Sequence, residues 1–250
     1  MTVKHRWVAG IHAVEAALAG GAGQVARVLA DQRRRDARLQ RLLDHAQRAG
    51  IAVERVPEHV LAERVPDIRH QGVCAEVRGQ AALDEASLLD RIAALDHPPL
   101  LLVLDGVQDP HNLGACLRSA EAAGADAVVV PRDRAARITP VVERTSAGAA
   151  AWIPLATVTN LARTLETLKH AGCWIVGTAR EAEASIHDVD LTGGLALVLG
   201  GEEKGLRGRT RAVCDRLVRI PMAGRIESLN VSVAAGVCLF EALRQRRAGG

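Results

Sequence analysis

Apolar positions along the chain follow two rhythms. Over the first 80 residues, short apolar runs alternate with amphipathic stretches. Residues 11–19 (IHAVEAALA) predict a helix stopped by Gly20-Gly21, and 24–31 (QVARVLAD) a strand. Residues 37–50 place Leu39, Leu42, Leu43 and Ala46 on one helical face and end at Gly50. A strand at 51–56, a helix opened by Pro57 and a strand at 72–78 complete the pattern. The alternation predicts a compact α/β domain over 1–78. Residues 79–98 are acidic, run into Pro98-Pro99, and read as a linker that is partly helical around Ser87–Leu95.

From residue 99 the strands lose their polar alternation. LLLVLDG (100–106), DAVVVP (126–131), CWIVGTA (173–179), LALVLGG (195–201) and LVRIPM (217–222) suit strands buried on both faces of a parallel sheet. Helices are expected at 113–123, near 140–150, at 159–171 and at 231–246. Residues 99–250 therefore predict a doubly wound parallel sheet, whose ligands bind at the carboxyl ends of the strands.

Composition narrows the chemistry. Hydrophobic residues make up 48% of the chain but aromatics only 2%, so the core is aliphatic and few bases could be read by stacking. The net charge of +3 is too weak to name a partner. Cys74, Cys116, Cys173, Cys214 and Cys238 form no C-x-x-C pair and sit mostly in apolar runs, which fits free thiols in a reducing cytoplasm. The opening MTVKHRWVAG has no apolar signal-peptide core, and no apolar run reaches the ~18 residues of a membrane span. Histidines and cysteines show no ligand spacing, so no metal is expected.

Three strand-to-helix loops carry candidate chemistry. In LDGVQDPHNLGACLRSAEAAG (104–124), Asn112 is placed to cap a helix starting at Leu113. Arg118 lies away from the face formed by Leu113, Cys116, Leu117 and Ala120, so packing does not require it; a solvated arginine near Glu121 is the bland alternative. In LGGEEKG (199–205), the glycines permit close backbone approach to a ligand. Glu202 disfavours a dinucleotide pyrophosphate, and an exposed turn residue is its bland alternative. In IPMAGRIESLNVSVAAG (220–236), Ser228, Asn230 and Ser232 exceed what one helix cap needs. Val233, Val237, Phe240 and the alanines of the same helix are expected to fill its core face.

Taken together, D-x-V-x-D-P-x-N-x-G-x-x-x-R-S-A (105–120), L-G-x-E-x-x-G (199–205) and I-P-M-x-G-x-x-x-S-L-N-V-S-V-A (220–234) resemble the three ordered motifs of the SpoU family. These are S-adenosyl-L-methionine-dependent RNA ribose 2'-O-methyltransferases of the SPOUT fold. G-I-H-A-V-E-A-A-L (10–18) and H-Q-G-V (70–73) resemble the L30e-like RNA-binding domain found in many members. The resemblance implies a trefoil knot in the C-terminal domain, which periodicity would never propose. It also implies a cytoplasmic homodimer with its site at the subunit interface. Backbone groups at Gly200, Ile220 and Leu229 would hold the cofactor, and Asn112, Glu202, Ser228 and Asn230 would line the substrate pocket. Arg118 matches the motif-one arginine often assigned as general base, although binding a phosphate or a developing alkoxide suits an arginine better. Length and motif match most resemble the branch that methylates a guanosine ribose in the P loop of 23S rRNA, free or in a ribosome assembly intermediate. Methylation of tRNA or another rRNA site, and a non-catalytic RNA-binding assembly protein, are the alternatives.

Overall fold

The computed structural model describes residues 5–19, 24–66, 68–78, 83–202 and 204–248. The expected helix stop at Gly20-Gly21 and residues 79–82 of the expected linker lie outside them. The chain divides into two units, Met1–Ala81 and Ala82–Gly250.

The first unit runs β1 (His5–Ala9), α1 (Ile11–Ala19), β2 (Val25–Asp31), α2 (Ala37–Arg48), β3 (Ala52–Val56), α3 (Glu58–Arg64) and β4 (Val73–Arg78). Its sheet has the order β1-β4-β2-β3, with β2 and β3 parallel and the other pairs antiparallel. Strand β1 was not expected, because HRWVA carries too few residues to establish a period. Asp36 caps α2 by accepting from the Leu39 amide at 3.0 Å, and Leu39, Leu42, Leu43 and Ala46 are buried as their spacing predicts. Pro57 sits at the cap of α3 rather than inside it.

The second unit runs α4 (Glu85–Ala93), β5 (Leu100–Asp105), α5 (Pro110–Ala122), β6 (Ala127–Pro131), α6 (Pro140–Thr145), β7 (Leu155–Val158), α7 (Leu161–His170), β8 (Trp174–Thr178), β9 (Ala184–Ser185), β10 (Leu195–Gly200), α8 (Gly208–Val213), β11 (Arg216–Arg219) and α9 (Val231–Ala248). Its seven strands are all parallel, in the order β7-β6-β5-β10-β8-β11-β9. The side-chain period of two splits each central strand between two cores. Leu100, Leu102 and Leu104 of β5 pack with α5, α6 and α9, whereas Leu101 and Val103 pack with α4 and α7.

The reading of 79–98 as a linker needs correction over its described part. Asp84 caps α4 by accepting from the Ser87 amide at 2.9 Å, and Leu88 and Ile92 are buried in the second unit's core. Leu83 pairs with edge strand β7, donating to the Leu155 carbonyl at 3.0 Å and accepting from the Thr157 amide at 2.8 Å. The helix expected around Ser87–Leu95 is α4; what its acidic outer face disguised is the apolar side that joins it to the second unit's core.

All five cysteines are free, and four are fully buried. Burial pushes the Cys74, Cys116 and Cys238 thiols up to about 12, and those of Cys173 and Cys214 up to about 11. A water-soluble disulfide reagent at pH 8 is expected to leave the four buried thiols of the native protein unmodified for minutes, Cys214 alone being open to it, and to label all five in denaturant. Rapid labelling of more than one thiol in the native protein would contradict the burial.

Candidate active site

The carboxyl ends of β8, β10 and β11, adjacent in the sheet, open into a cleft of about 740 Å³. That volume suits a small-molecule ligand. Thr178, Leu199, Gly200, Val218 and Ile220 form its floor, and the segment Glu227–Val231 forms a wall. Of the expected site residues, Gly200, Glu202, Ile220, Ser228, Leu229 and Asn230 all line it.

Gly200 has a stricter reason to be glycine than ligand approach. A Cβ there would lie 2.0 Å from the Gly205 carbonyl carbon and 2.3 Å from the Leu206 nitrogen. The loop after β10 folds back onto the strand end, and the Gly205 amide donates to the Gly201 carbonyl at 3.0 Å. Asp105, at the end of β5, clamps the far side of this loop. Its buried carboxylate accepts from the Arg207 amide at 2.9 Å and from Arg207 Nε at 2.5 Å. Its carbonyl accepts from the Gly201 amide at 3.1 Å. The sequence reading passed over Asp105 and Arg207 as site residues. The available signal was a carboxylate closing an otherwise all-apolar strand.

Asn112 does not cap the motif-one helix. Helix α5 starts three residues earlier than expected, with Pro110 in its first turn and Asp109 accepting from the His111 amide at 2.9 Å. This frees the Asn112 side chain. Its Nδ2 donates to Glu202 Oε1, and its Oδ1 accepts from Asn230 Nδ2 at 3.0 Å. Asn230 in turn caps α9, its Oδ1 accepting from the Ser232 amide at 2.9 Å and from Ser232 Oγ at 2.6 Å. The surplus of polar residues before α9 thus forms a line, Ser232–Asn230–Asn112–Glu202, that ties three motifs together. Gly114 supports it from behind: a Cβ there would meet Thr145 Cβ at 2.7 Å and the Val142 carbonyl oxygen at 3.0 Å, so its absence lets α6 pack against α5.

Among the described residues, no backbone group from Pro221 to Leu229 is hydrogen-bonded within the chain. Arg180, donating to Glu227 at 3.1 Å, ties this segment across the cleft. Arg211 donates to Glu181 and holds that carboxyl below the usual carboxylate range. Behind the cleft, burial and then the Glu202 charge raise the Cys116 thiol.

Arg118 is not brought to this cleft. It is exposed on α5 and, among the described residues, makes no hydrogen bond or ion pair, with Glu121 or any other group. The expected core face of α9 is also revised. Val231, Ala235, Cys238, Leu239 and Ala242 are buried, whereas Val233 is 51% and Phe240 48% exposed. Apolar residues encircle the helix, so periodicity could not say which side meets the sheet.

The family described as SpoU rRNA Methylase matches residues 99–240, and one described as RNA 2'-O ribose methyltransferase substrate binding matches 7–82. The chain is 51% identical over 238 residues to the 23S rRNA (guanosine-2'-O-)-methyltransferase RlmB of Pseudomonas putida, covering 95% of this chain and 96% of that protein. It is 50% identical over 246 residues to the RlmB of Xanthomonas campestris, covering 98% and 99%. The crystal structure of the SpoU methyltransferase AviRb from Streptomyces viridochromogenes, in complex with the cofactor AdoMet, superposes with a TM-score of 0.73 at 30% identity, covering 98% of this chain and 92% of that one. A cleft at the strand ends, a line of polar side chains joining three motifs, and near-full-length similarity agree: the chain belongs to the SpoU rRNA methylase family.

Proposed function

We propose that this protein methylates the 2'-hydroxyl of a guanosine ribose in the P loop of 23S rRNA, using S-adenosyl-L-methionine, as a cytoplasmic homodimer with a knotted C-terminal domain. The observation that carries the reading is the Glu202–Asn112–Asn230 line beside the cleft, in a chain about half identical to 23S rRNA guanosine 2'-O-methyltransferases over nearly its whole length. The RNA target is free 23S rRNA or an assembly intermediate that exposes the P loop.

The cleft fits the cofactor. Leu199, Val218, Leu229 and Val231 supply apolar surface for a flat base, and the uncommitted backbone of the Pro221–Leu229 segment supplies polar partners. Backbone groups of Gly200, Ile220 and Leu229 would hold it. When bound, S-adenosyl-L-methionine supplies an electrophilic methyl group on a sulfonium. Asn112, Asn230 and Ser228 would orient the ribose and hold its 2'-hydroxyl toward the cleft. Such positioning is worth several kcal/mol, up to about 7–11 in ideal cases. Glu202 fixes the Asn112 amide and presents a carboxylate to the guanosine. The hydroxyl proton passes to water or to a phosphate oxygen of the RNA. An arginine side chain is effectively always protonated, so Arg118 stabilises the developing alkoxide or a neighbouring phosphate rather than abstracting a proton.

The position of Arg118 supports the dimer. Ile226 is 71% exposed, and Val233 and Phe240, seven positions apart on one face of α9, are 51% and 48% exposed, apolar side chains that a partner surface would cover. Ser119, next to Arg118, faces Gly236 of the same helix α9. Pairing through α9 would bring Arg118 of one subunit to the cleft of the other.

Arg118→Ala is expected to lower kcat by about 10²–10³ while leaving cofactor affinity within about twofold. Tritiated-methyl transfer to RNA and calorimetric binding check the two arms, and undiminished turnover would end any catalytic role for this residue. Ribose-methylation mapping of total RNA, with and without the gene, tests the substrate. Loss of one 2'-O-methylguanosine from the 23S P loop is expected. Loss of a tRNA mark would keep the chemistry and overturn the target, and loss of no mark would favour a binding protein.

A further inference from the structure

The loop between β6 and α6, residues 132–139, belongs to none of the three motifs. It leaves the carboxyl end of β6, which neighbours β5, which neighbours β10. Two strand spacings place its start about 10 Å from the end of β10, on the edge of the sheet where the cleft opens. It is also anchored to the motif-one loop: the Ala136 amide donates to the Val107 carbonyl at 2.9 Å, and Ala136 and Val107 are buried in one core cluster.

That anchor throws three charges outward. Arg132, Arg134 and Arg137 are exposed, and among the described residues none of their side chains makes a hydrogen bond or ion pair. Asp133 is the one carboxylate within the loop. Beside the cleft, Arg180, Arg207, Arg211 and Arg219 are each committed to a carboxylate or a carbonyl, and Arg225, in the Pro221–Leu229 segment, is exposed without a bond among the described residues; what distinguishes the loop is three such guanidinium groups within six positions. Arg134 adopts a φ of 57°, a left-handed conformation that residues with a Cβ seldom take. The turn it makes is what returns Ala136 to the core while leaving the three guanidinium groups outside.

We infer that Arg132, Arg134 and Arg137 form a phosphate-binding strip that holds the RNA strand flanking the target nucleotide. The inference rests on the RNA methyltransferase reading and names where, in the catalytic unit, the substrate backbone lies. Guanidinium groups with no internal partner match phosphate oxygens, and a rigid anchor limits the entropy lost on binding.

The test compares the wild type with Arg132→Ala/Arg134→Gly/Arg137→Ala and with the corresponding triple lysine variant. The glycine keeps the left-handed turn. Filter binding to 23S rRNA over a salt series is measured beside methyl transfer and cofactor binding. The alanine–glycine variant should show a slope of log K against log salt shallower by about 2–3, because each lost phosphate contact removes roughly 0.7–0.9. Its KM for RNA should rise at least about tenfold, with kcat at saturating RNA and cofactor affinity unchanged within about twofold. The lysine variant should recover most of the slope. A wild-type slope and KM in the alanine–glycine variant would overturn the strip. If the wild type binds RNA through these residues but transfers no methyl group, the strip stands and the proposed reaction falls. If it does not bind RNA at all, both fall.

Discussion

Gly200→Ala is expected to lose cofactor binding and to destabilise the catalytic unit by at least about 3 kcal/mol. The added methyl would overlap backbone atoms of Gly205 and Leu206, at 2.0 and 2.3 Å, and neither can move as a side-chain tip would. Relief requires unfolding the loop that Asp105 clamps through Arg207 and the Gly201 amide. A loss of that size lowers the melting temperature of this unit by roughly 6–12 °C. Thermal unfolding and calorimetric titration with S-adenosyl-L-methionine check both arms. A variant with wild-type melting and binding would mean that the loop does not fold back on the strand end.

The second large effect is expected at Asn112. Its side chain connects Glu202 to Asn230, which belong to two other motifs lying 90 and 118 positions further along the chain. Asn112→Asp keeps the shape but removes the donor and sets a carboxylate against Glu202. Methyl transfer is expected to fall by about 10²–10³. Stability should change by less than about 1 kcal/mol, because Asn112 does not serve as the helix cap. The sign of the pH response separates charge from shape. Two adjoining carboxylates raise the affinity of one of them for a proton, so the aspartate variant should regain activity relative to Asn112→Ala as the pH is lowered. Initial rates between pH 5.5 and 8 decide it. A parallel fall of both variants would show that Glu202 is not the partner that matters.

The strands of the second unit were largely legible because a parallel sheet buried on both faces leaves runs such as LLLVLD and LALVLG that no other environment demands. Edge and short elements were not. Strand β7 has only four residues, alternately buried and half-buried, and its outer side is met by Leu83. Helix α8 contributes a single fully buried residue, Thr210. Helix α4 was expected from its pattern, but its charges hid that Leu88 and Ile92 belong to the second unit's core. The candidate site was legible as a set of residues, since its polar side chains exceeded what caps and turns consume. Their partners were not, because Asn112 and Asn230 are separated by 118 positions and nothing local ties one to the other.

By itself, then, the sequence determined the two-unit α/β organisation and the parallel sheet, and it pointed to Gly200, Glu202, Ile220, Ser228, Leu229 and Asn230, which line the cleft. The organisation and the sheet follow from local burial patterns; the site residues follow from polar groups that packing leaves unexplained and from the resemblance of three motifs to the SpoU family. Only the tertiary structure decided which face of α9 meets the sheet, which residue caps α5, why position 200 must be glycine, and that Arg118 stands apart from the cleft of its own chain. Those outcomes depend on which distant segment arrives beside each residue, and that is set by the summed packing of the whole unit rather than by the preferences of any one stretch.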